Sequence, residues 1–213
     1  MGNRAVITTD DNFINDGVGI YVHWNGGRDS VEAFLKYCEL KGYRSPSEDC
    51  YGWARLAQVI GNFFGGELSV GIDTIWHLDR ENGDNGVYII KDWKIVDRYY
   101  FYGQEQDSYD ISDMLVAIDE CMPENEQLGE EFLKATEYKT DELEIGDLVF
   151  YKGYGEHRPS KYIVIAKKED LNAGKKFPVI ACYGRGIEEQ LSNPNNVLRA
   201  ESYRAVKGGM NER

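Results

Sequence analysis

The chain has 213 residues, 42% of them hydrophobic, and its 37 acidic and 24 basic residues give a formal net charge of −13 at pH 7. Its many aromatic residues, 15 Tyr, 8 Phe and 4 Trp, fill a sizeable core, which excludes an intrinsically disordered chain. No run approaches the roughly 18 to 20 apolar residues that span a bilayer, and no secretory signal is recognisable, so we expect a cytoplasmic protein with no membrane contact.

The cysteines and histidines form no ligand motif. The four cysteines, Cys38, Cys50, Cys121 and Cys182, are scattered without a C-x-x-C pair or a histidine at zinc-finger spacing. The sequence therefore predicts no metal site, no disulfide framework and no cofactor. All but Cys50 lie among apolar neighbours, where a free cysteine packs as a small hydrophobic residue.

The N-terminal part of the chain predicts two strands followed by a helix. Residues 4–9 alternate and are rich in β-forming residues, and the run GVGIYVHW (17–24) predicts the second strand. The run NGGRDSVE then turns the chain into a helix with Asp29 or Ser30 as its N-cap and its end near Gly42. The apolar positions of this helix recur at helical spacing: Val31, Phe34, Leu35 and Cys38.

A second helix is predicted from Tyr51 to Phe64, because its apolar residues fall on one stripe: Trp53, Leu56, Ala57, Ile60, Phe63 and Phe64. Gly65 and Gly66 end it by supplying the left-handed conformation common at helix ends. Three strand runs follow, LSVGIDTI, GVYIIKDW and KIVDRYYFY, and their spacing predicts an antiparallel meander. A third helix is predicted over 108–122, with Cys121 on its buried side.

The composition changes beyond this helix. Residues 125–142 form an acidic connector with a short helix around Phe132, and four short β runs separated by turns follow in residues 143–213. We therefore predict an α+β domain over 1–124, with an antiparallel sheet packed with helices, and a small SH3-like β-barrel domain over 143–213.

The stretch YVHWNGGRDSVEAF allows two interpretations. A Gly-Gly turn before a helix can present backbone N–H groups to an anion, with Arg28 assisting. The favoured interpretation is a tight turn with a capping aspartate, because no phosphate-loop or dinucleotide fingerprint is complete. His23 belongs either to the surface or to a polar cleft.

Cys50 is the alternative catalytic candidate. It directly precedes the second predicted helix, where a helix dipole favours a thiolate, and this placement resembles the nucleophile of papain-like and cell-wall-peptidase-type hydrolases. A base would have to come from His23 or His77. Tyr51 stands where those hydrolases have a small residue.

The acidic window is the most specific feature of the sequence. Residues 104–147 hold 15 acidic residues and only 2 basic ones, so this window alone accounts for the net charge of −13. Because it keeps an apolar helical stripe, we interpret it as a folded negative surface, although a merely solubilising surface is the alternative. Its candidate partner-binding residues are Glu105, Asp107, Asp110, Asp113, Glu120, Glu124, Glu126, Glu130 and Glu131.

The runs MGNRAVIT, GIYVHWNGGRDSVEAFL, YGWARLAQVIGNFFGG, DNGVYIIKDWKIV and IGDLVFYKG are similar to an uncharacterised family of small acidic proteins from phages and conjugative elements of gut Firmicutes. The resemblance implies a context rather than a site. Small acidic proteins of such elements are often anti-restriction or anti-CRISPR factors.

These observations lead to one functional hypothesis and two alternatives. The hypothesis is a non-enzymatic binding protein of a mobile element that inhibits a host defence nuclease, the partner being a cationic host protein and not nucleic acid itself. The alternatives are a Cys-His hydrolase that uses Cys50 and a structural or regulatory interaction module.

Overall fold

The computed structural model describes residues 2–11, 17–106, 108–153, 156–166, 179–182 and 200–208. The chain divides into two compact units, residues 1–124 and residues 125–213. Helices and two sheets give it the α+β character that the sequence predicts. Every helix in these ranges is too short or too polar to cross a bilayer.

A five-stranded sheet forms the centre of the first unit. Its strands are β1 (Ala5–Thr8), β2 (Val18–Val22), β3 (Val70–Thr74), β4 (Val87–Lys91) and β5 (Lys94–Tyr99). Their order is β3-β2-β1-β4-β5, and β1 pairs in parallel with β4 while the other pairs are antiparallel. The sheet is therefore mixed, not purely antiparallel. The predicted meander of β3, β4 and β5 is confirmed for the antiparallel pair β4–β5 and wrong for β3, which pairs with β2 at the opposite edge.

Three helices pack against one another in the first unit: α1 (Arg28–Leu40), α2 (Cys50–Phe64) and α3 (Ser112–Glu120). The predicted stripe of α1 is fully buried, and its Tyr37 hydroxyl donates a 2.6 Å hydrogen bond to the buried Asp119 of α3. Burial and this bond raise the pKa of Tyr37 above its ordinary value. The pair fixes α3 against α1.

The ends of these helices differ in part from the expected ones. Gly27, not Asp29 or Ser30, occupies the N-cap position of α1, without a side-chain cap. Asp49 caps α2, which ends at Gly65 in the left-handed conformation as predicted. Cys121 follows α3 and is exposed, so its predicted burial is wrong.

The segment that follows β3 covers the face of the sheet that carries Val6. Val6, Ile75, Val87 and Ile89 form a buried cluster, because the segment after β3 folds back over the strands. That segment is held by Asn82, whose side-chain amide donates to the carbonyls of Asp79 and Gly86. β1 is consequently buried along its whole length.

The described part of the second unit contains one short α-helix and a second sheet. Its elements are α4 (Glu130–Lys134), β6 (Thr136–Lys139), β7 (Leu148–Tyr151), β8 (Ser160–Ala166), β9 (Val179–Cys182) and β10 (Ser202–Val206). The strand order is β6-β10-β7-β8-β9, and all pairs are antiparallel. Among the described residues β6 and β9 are the two edges of an open sheet, so the predicted closed SH3-like barrel is not found there.

Hydrogen bonds of two side chains connect β10 and the residues that follow it to earlier parts of this unit. Arg204 of β10 donates three hydrogen bonds to the carbonyls of Phe132, Leu133 and Ala135 at the end of α4. Asp147 is buried and accepts hydrogen bonds from the Lys207 ammonium and from two backbone N–H groups. Both contacts join segments that lie about sixty or seventy residues apart in the sequence.

Candidate functional site

The Gly-Gly stretch of the first unit is a packed turn. The N–H of Gly26 donates to the carbonyl of Asn3 at 2.7 Å, and the buried Tyr88 hydroxyl donates to the carbonyl of Gly26. A Cβ atom on Gly26 would lie only 2.6 Å from the Asn3 carbonyl oxygen, so the close approach of two backbone segments requires glycine here. This packing supports the interpretation of the stretch as a turn.

His23 belongs to a small aromatic group at the end of β2. Its Nδ1 atom lies 3.0 Å from the Tyr21 hydroxyl, and its ring packs edge-on against Trp24. His77, the other candidate base, is exposed, and its Nδ1 atom lies 3.2 Å from the Asp73 carboxylate.

Cys50 is the first residue of α2 and is exposed. The N–H groups of Tyr51 and Gly52, which would otherwise face a thiolate, donate to the carboxylate of Asp49. The described contacts of His23 and His77 do not include Cys50, so the structure does not bring the elements of a Cys-His pair together.

The acidic window extends over both units, and its candidate residues fall into separate groups. In the second unit Glu130 pairs with Lys134 at 2.7 Å, and Glu131 pairs with Lys161, so both charges are compensated locally. Glu126 is half-buried. Asp107 lies outside the described residues.

In the first unit, Glu105 is also compensated. Its carboxylate lies 2.6 Å from Arg98 and 3.1 Å from Arg28. Burial alone would raise the pKa of Glu105, but the hydrogen bonds from Arg98 and Arg28 outweigh burial and hold the pKa below its ordinary value.

The remaining candidates of the first unit lie on and around α3. We define the α3 acidic face as the exposed residues Asp110, Asp113, Glu120 and Glu124. Asp113 and Glu120 are seven residues apart, which places them on one side of the helix, separated by about 10 Å along its axis. Asp110 accepts a hydrogen bond from the Ser112 N–H, which lowers the pKa of Asp110. Asp113 and Glu120 thus share one side of α3, while Asp110 precedes the helix and Glu124 follows it.

The buried side of α3 keeps the helix in place. Leu115 and Ile118 are buried, and Asp119 is bonded to Tyr37 of α1. No basic residue occurs in the sequence from 99 to 133, so the charged residues of this segment are all acidic.

Two features of the first unit were not anticipated from the sequence. One is the Tyr37–Asp119 bond, and the other is the ion pairing of Glu105 with Arg28 and Arg98. Neither gives a local signal, because the partners of each are brought together only by the fold. Within the described ranges, no group of three or more His, Cys, Asp or Glu side chains is arranged to hold a metal ion.

No protein-family model matches this chain, and no curated protein or solved structure matches it significantly.

Proposed function

We propose that the protein is a non-enzymatic binding protein whose α3 acidic face contacts a cationic surface of another protein. The observation that carries this proposal is the occurrence of four exposed carboxylates on and beside one helix, in a segment without any basic residue. Several negative charges close together on a fixed helix raise the local concentration of a positively charged partner and accelerate its association.

The rigidity of α3 supports the proposal further. A surface that is already ordered in the free protein loses little conformational entropy on binding. The helix is anchored by buried Leu115 and Ile118 and by the Tyr37–Asp119 hydrogen bond, so the backbone that carries Asp113 and Glu120 is fixed before the partner arrives.

The acidic surface also indicates which class of protein the partner belongs to. A nuclease that binds DNA or RNA carries a groove lined by Lys and Arg for the phosphate backbone. A group of exposed carboxylates fits the same groove. Together with the resemblance to proteins of phages and conjugative elements, this leads us to propose a host defence nuclease as the partner and its inhibition as the function.

The test compares two charge-reversed variants of equal net charge. The first is Asp113→Lys/Glu120→Lys/Glu124→Lys on the α3 acidic face. The matched control reverses three exposed glutamates of the same unit that lie outside residues 99–133: Glu48, Glu67 and Glu81. Each protein is immobilised and exposed to host lysate at about 0.1 M and 0.5 M salt, and captured nucleases are assayed for cleavage with increasing amounts of each free protein.

We expect the wild type and the control variant to capture and inhibit the same nuclease at low salt, and the α3 variant to lose both effects. Circular dichroism and thermal unfolding establish that the variants are folded. Equal loss in both variants would assign the effect to net charge alone. Full capture and inhibition by a folded α3 variant would refute the proposal.

A further inference from the structure

Arg98 of β5 is an almost buried cation in the first unit, with only 8% of its side chain exposed. Its guanidinium lies over the rings of Tyr88 and Phe101, at 4.5 Å and 3.4 Å from their centroids. Nε and Nη2 each donate at 2.9 Å to Asn85, to the main-chain carbonyl and the side-chain oxygen respectively. These contacts fix the plane of the guanidinium and leave Nη1 directed at Glu105.

Arg28, at the start of α1, brings a second guanidinium to the same carboxylate. Its Nη1 lies 3.1 Å from Oε2 of Glu105, while its Nε is bonded to Glu32. Two fixed guanidinium groups thus converge on one carboxylate from two different elements of the fold. This is the geometry with which proteins bind the oxygen atoms of carboxylate and phosphate ligands.

Glu105 belongs to the segment between β5 and α3 that has no regular secondary structure, and 35% of its side chain is exposed. A groove of about 380 Å³ lies beside it and is bordered by Arg28, Arg98 and Phe101. Asp97 also lines the groove, and its carboxylate accepts a hydrogen bond from the backbone N–H of Arg98. Both arginines therefore face a space that admits a small molecule.

We propose that Arg28 and Arg98 form a binding site for the oxyanion of a small molecule, a carboxylate or a phosphate group, and that Glu105 occupies this site as an internal competitor. The ligand's oxygen atoms take the positions of Oε1 and Oε2, and Phe101 provides an apolar contact for the rest of the molecule. Opening requires that the Glu105 side chain leaves the two guanidinium groups and the Tyr109 hydroxyl, which donates to Oε2 at 3.4 Å. This site is separate from the α3 acidic face and does not depend on the function proposed above.

The consequence is a measurable competition. An internal carboxylate that fills the site in most molecules lowers the apparent affinity for an external anion by the fraction of molecules in which the site is open. Removing the carboxylate removes this competition, so we expect Glu105→Ala to bind a small oxyanion at least about tenfold more tightly than the wild type.

The test uses the full chain and two probes, inorganic phosphate and acetate, each compared with sodium chloride at equal ionic strength. Binding is measured by calorimetry and by the rise in melting temperature. Glu32→Ala is the matched control, because it removes one carboxylate from Arg28 without exposing Arg98. Glu105→Ala/Arg28→Gln removes half of the site.

The proposal predicts that at least one probe binds saturably to Glu105→Ala. The affinity of Glu32→Ala for that probe should stay close to that of the wild type, and the double variant should not bind it. Tighter binding of phosphate identifies a phosphorylated ligand, and tighter binding of acetate identifies a carboxylic acid. Glu105→Gln, which keeps the shape of the side chain, provides a second test if Glu105→Ala is unfolded. Stabilisation by both probes no greater than by chloride, or equal binding in Glu105→Ala and Glu32→Ala, would overturn the proposal.

Discussion

Two glycines of the first unit lie in opposite environments and give a matched pair of tests. A methyl group at Gly26 would collide with the backbone of Asn3, whereas at Gly61, within α2, it would meet no side chain and no other element within 4 Å. We expect Gly26→Ala to lower the free energy of unfolding by about 2 kcal/mol through overpacking. Gly61→Ala should raise it by about 0.5 to 1 kcal/mol, because alanine favours a helix.

Tryptophan fluorescence during urea unfolding measures both changes, since all four tryptophans lie in the first unit: Trp24, Trp53, Trp76 and Trp93. A Gly26→Ala variant as stable as the wild type would show that the close packing of this turn is unnecessary.

Asp147 is the residue on which we expect the second unit to depend most strongly at neutral pH. Burial alone would raise the pKa of Asp147, but the Lys207 ammonium and the N–H groups of Glu144 and Gly208 outweigh burial and lower it. Such a carboxylate contributes stability above its unfolded pKa of about 3.9, and this stability is lost as the pH falls through the lower folded pKa.

Asp147→Asn should therefore cost about 2 to 3 kcal/mol at pH 7, and the difference from the wild type should shrink below about pH 4. Amide hydrogen exchange of β7 and β10 measures this effect in the second unit, which lacks tryptophan. Unchanged exchange rates at pH 7 would contradict the structural role of the carboxylate.

At the level of elements, α4 depends on a side chain from the far end of the chain. The helix has only five residues and no side-chain cap at its N-terminus, but Arg204 binds three carbonyls at its C-terminal end. Lysine at this position keeps the charge but lacks the planar fork that reaches several acceptors at once. Arg204→Lys should therefore accelerate amide exchange in α4 and β6, and Arg204→Met should accelerate it further. Equal exchange in Arg204→Lys and the wild type would show that a single charge suffices.

Local signals predicted some elements well. The helix expected over 51–64 is observed as Cys50–Phe64, because its apolar period and terminal glycines are both local properties. β6 was missed: it lies in a charged segment and becomes a strand by pairing with β10, more than sixty residues later. The parallel pairing of β1 with β4 has the same origin, since about eighty residues separate the two strands. Pairing partners so distant leave no periodic trace near either strand.

The same distinction between local signals and contacts of distant segments applies to the candidate site. The charge of α3 and its buried face were visible in the sequence, because acidic positions alternate with a helical apolar stripe. The sequence did not distinguish the exposed Asp113 from Glu105, whose charge is compensated by Arg98 and Arg28. That distinction depends on contacts across the fold.

For the whole molecule, the division into two units predicts where a protease cuts first. The short helical turn Glu124–Glu126 lies at the division, and Glu124 is exposed. A glutamate-specific protease should cut here before it cuts β6, whose backbone is paired with β10. Mass spectrometry should then find an early fragment ending at Glu124 or Glu126 that contains all the tryptophans. A first cut after Glu137 would show that β6 opens more easily than the junction.

The central claim is that the α3 acidic face steers a cationic partner. The most direct measurement is the association rate constant of the purified partner with the wild type, the α3 variant and the matched control, determined by stopped-flow between about 0.05 and 0.5 M salt. We predict that association of the wild type slows steeply as salt rises, that the α3 variant associates at least about tenfold more slowly at low salt, and that the control stays close to the wild type. Equal association rates for the wild type and the α3 variant at every salt concentration would contradict the account.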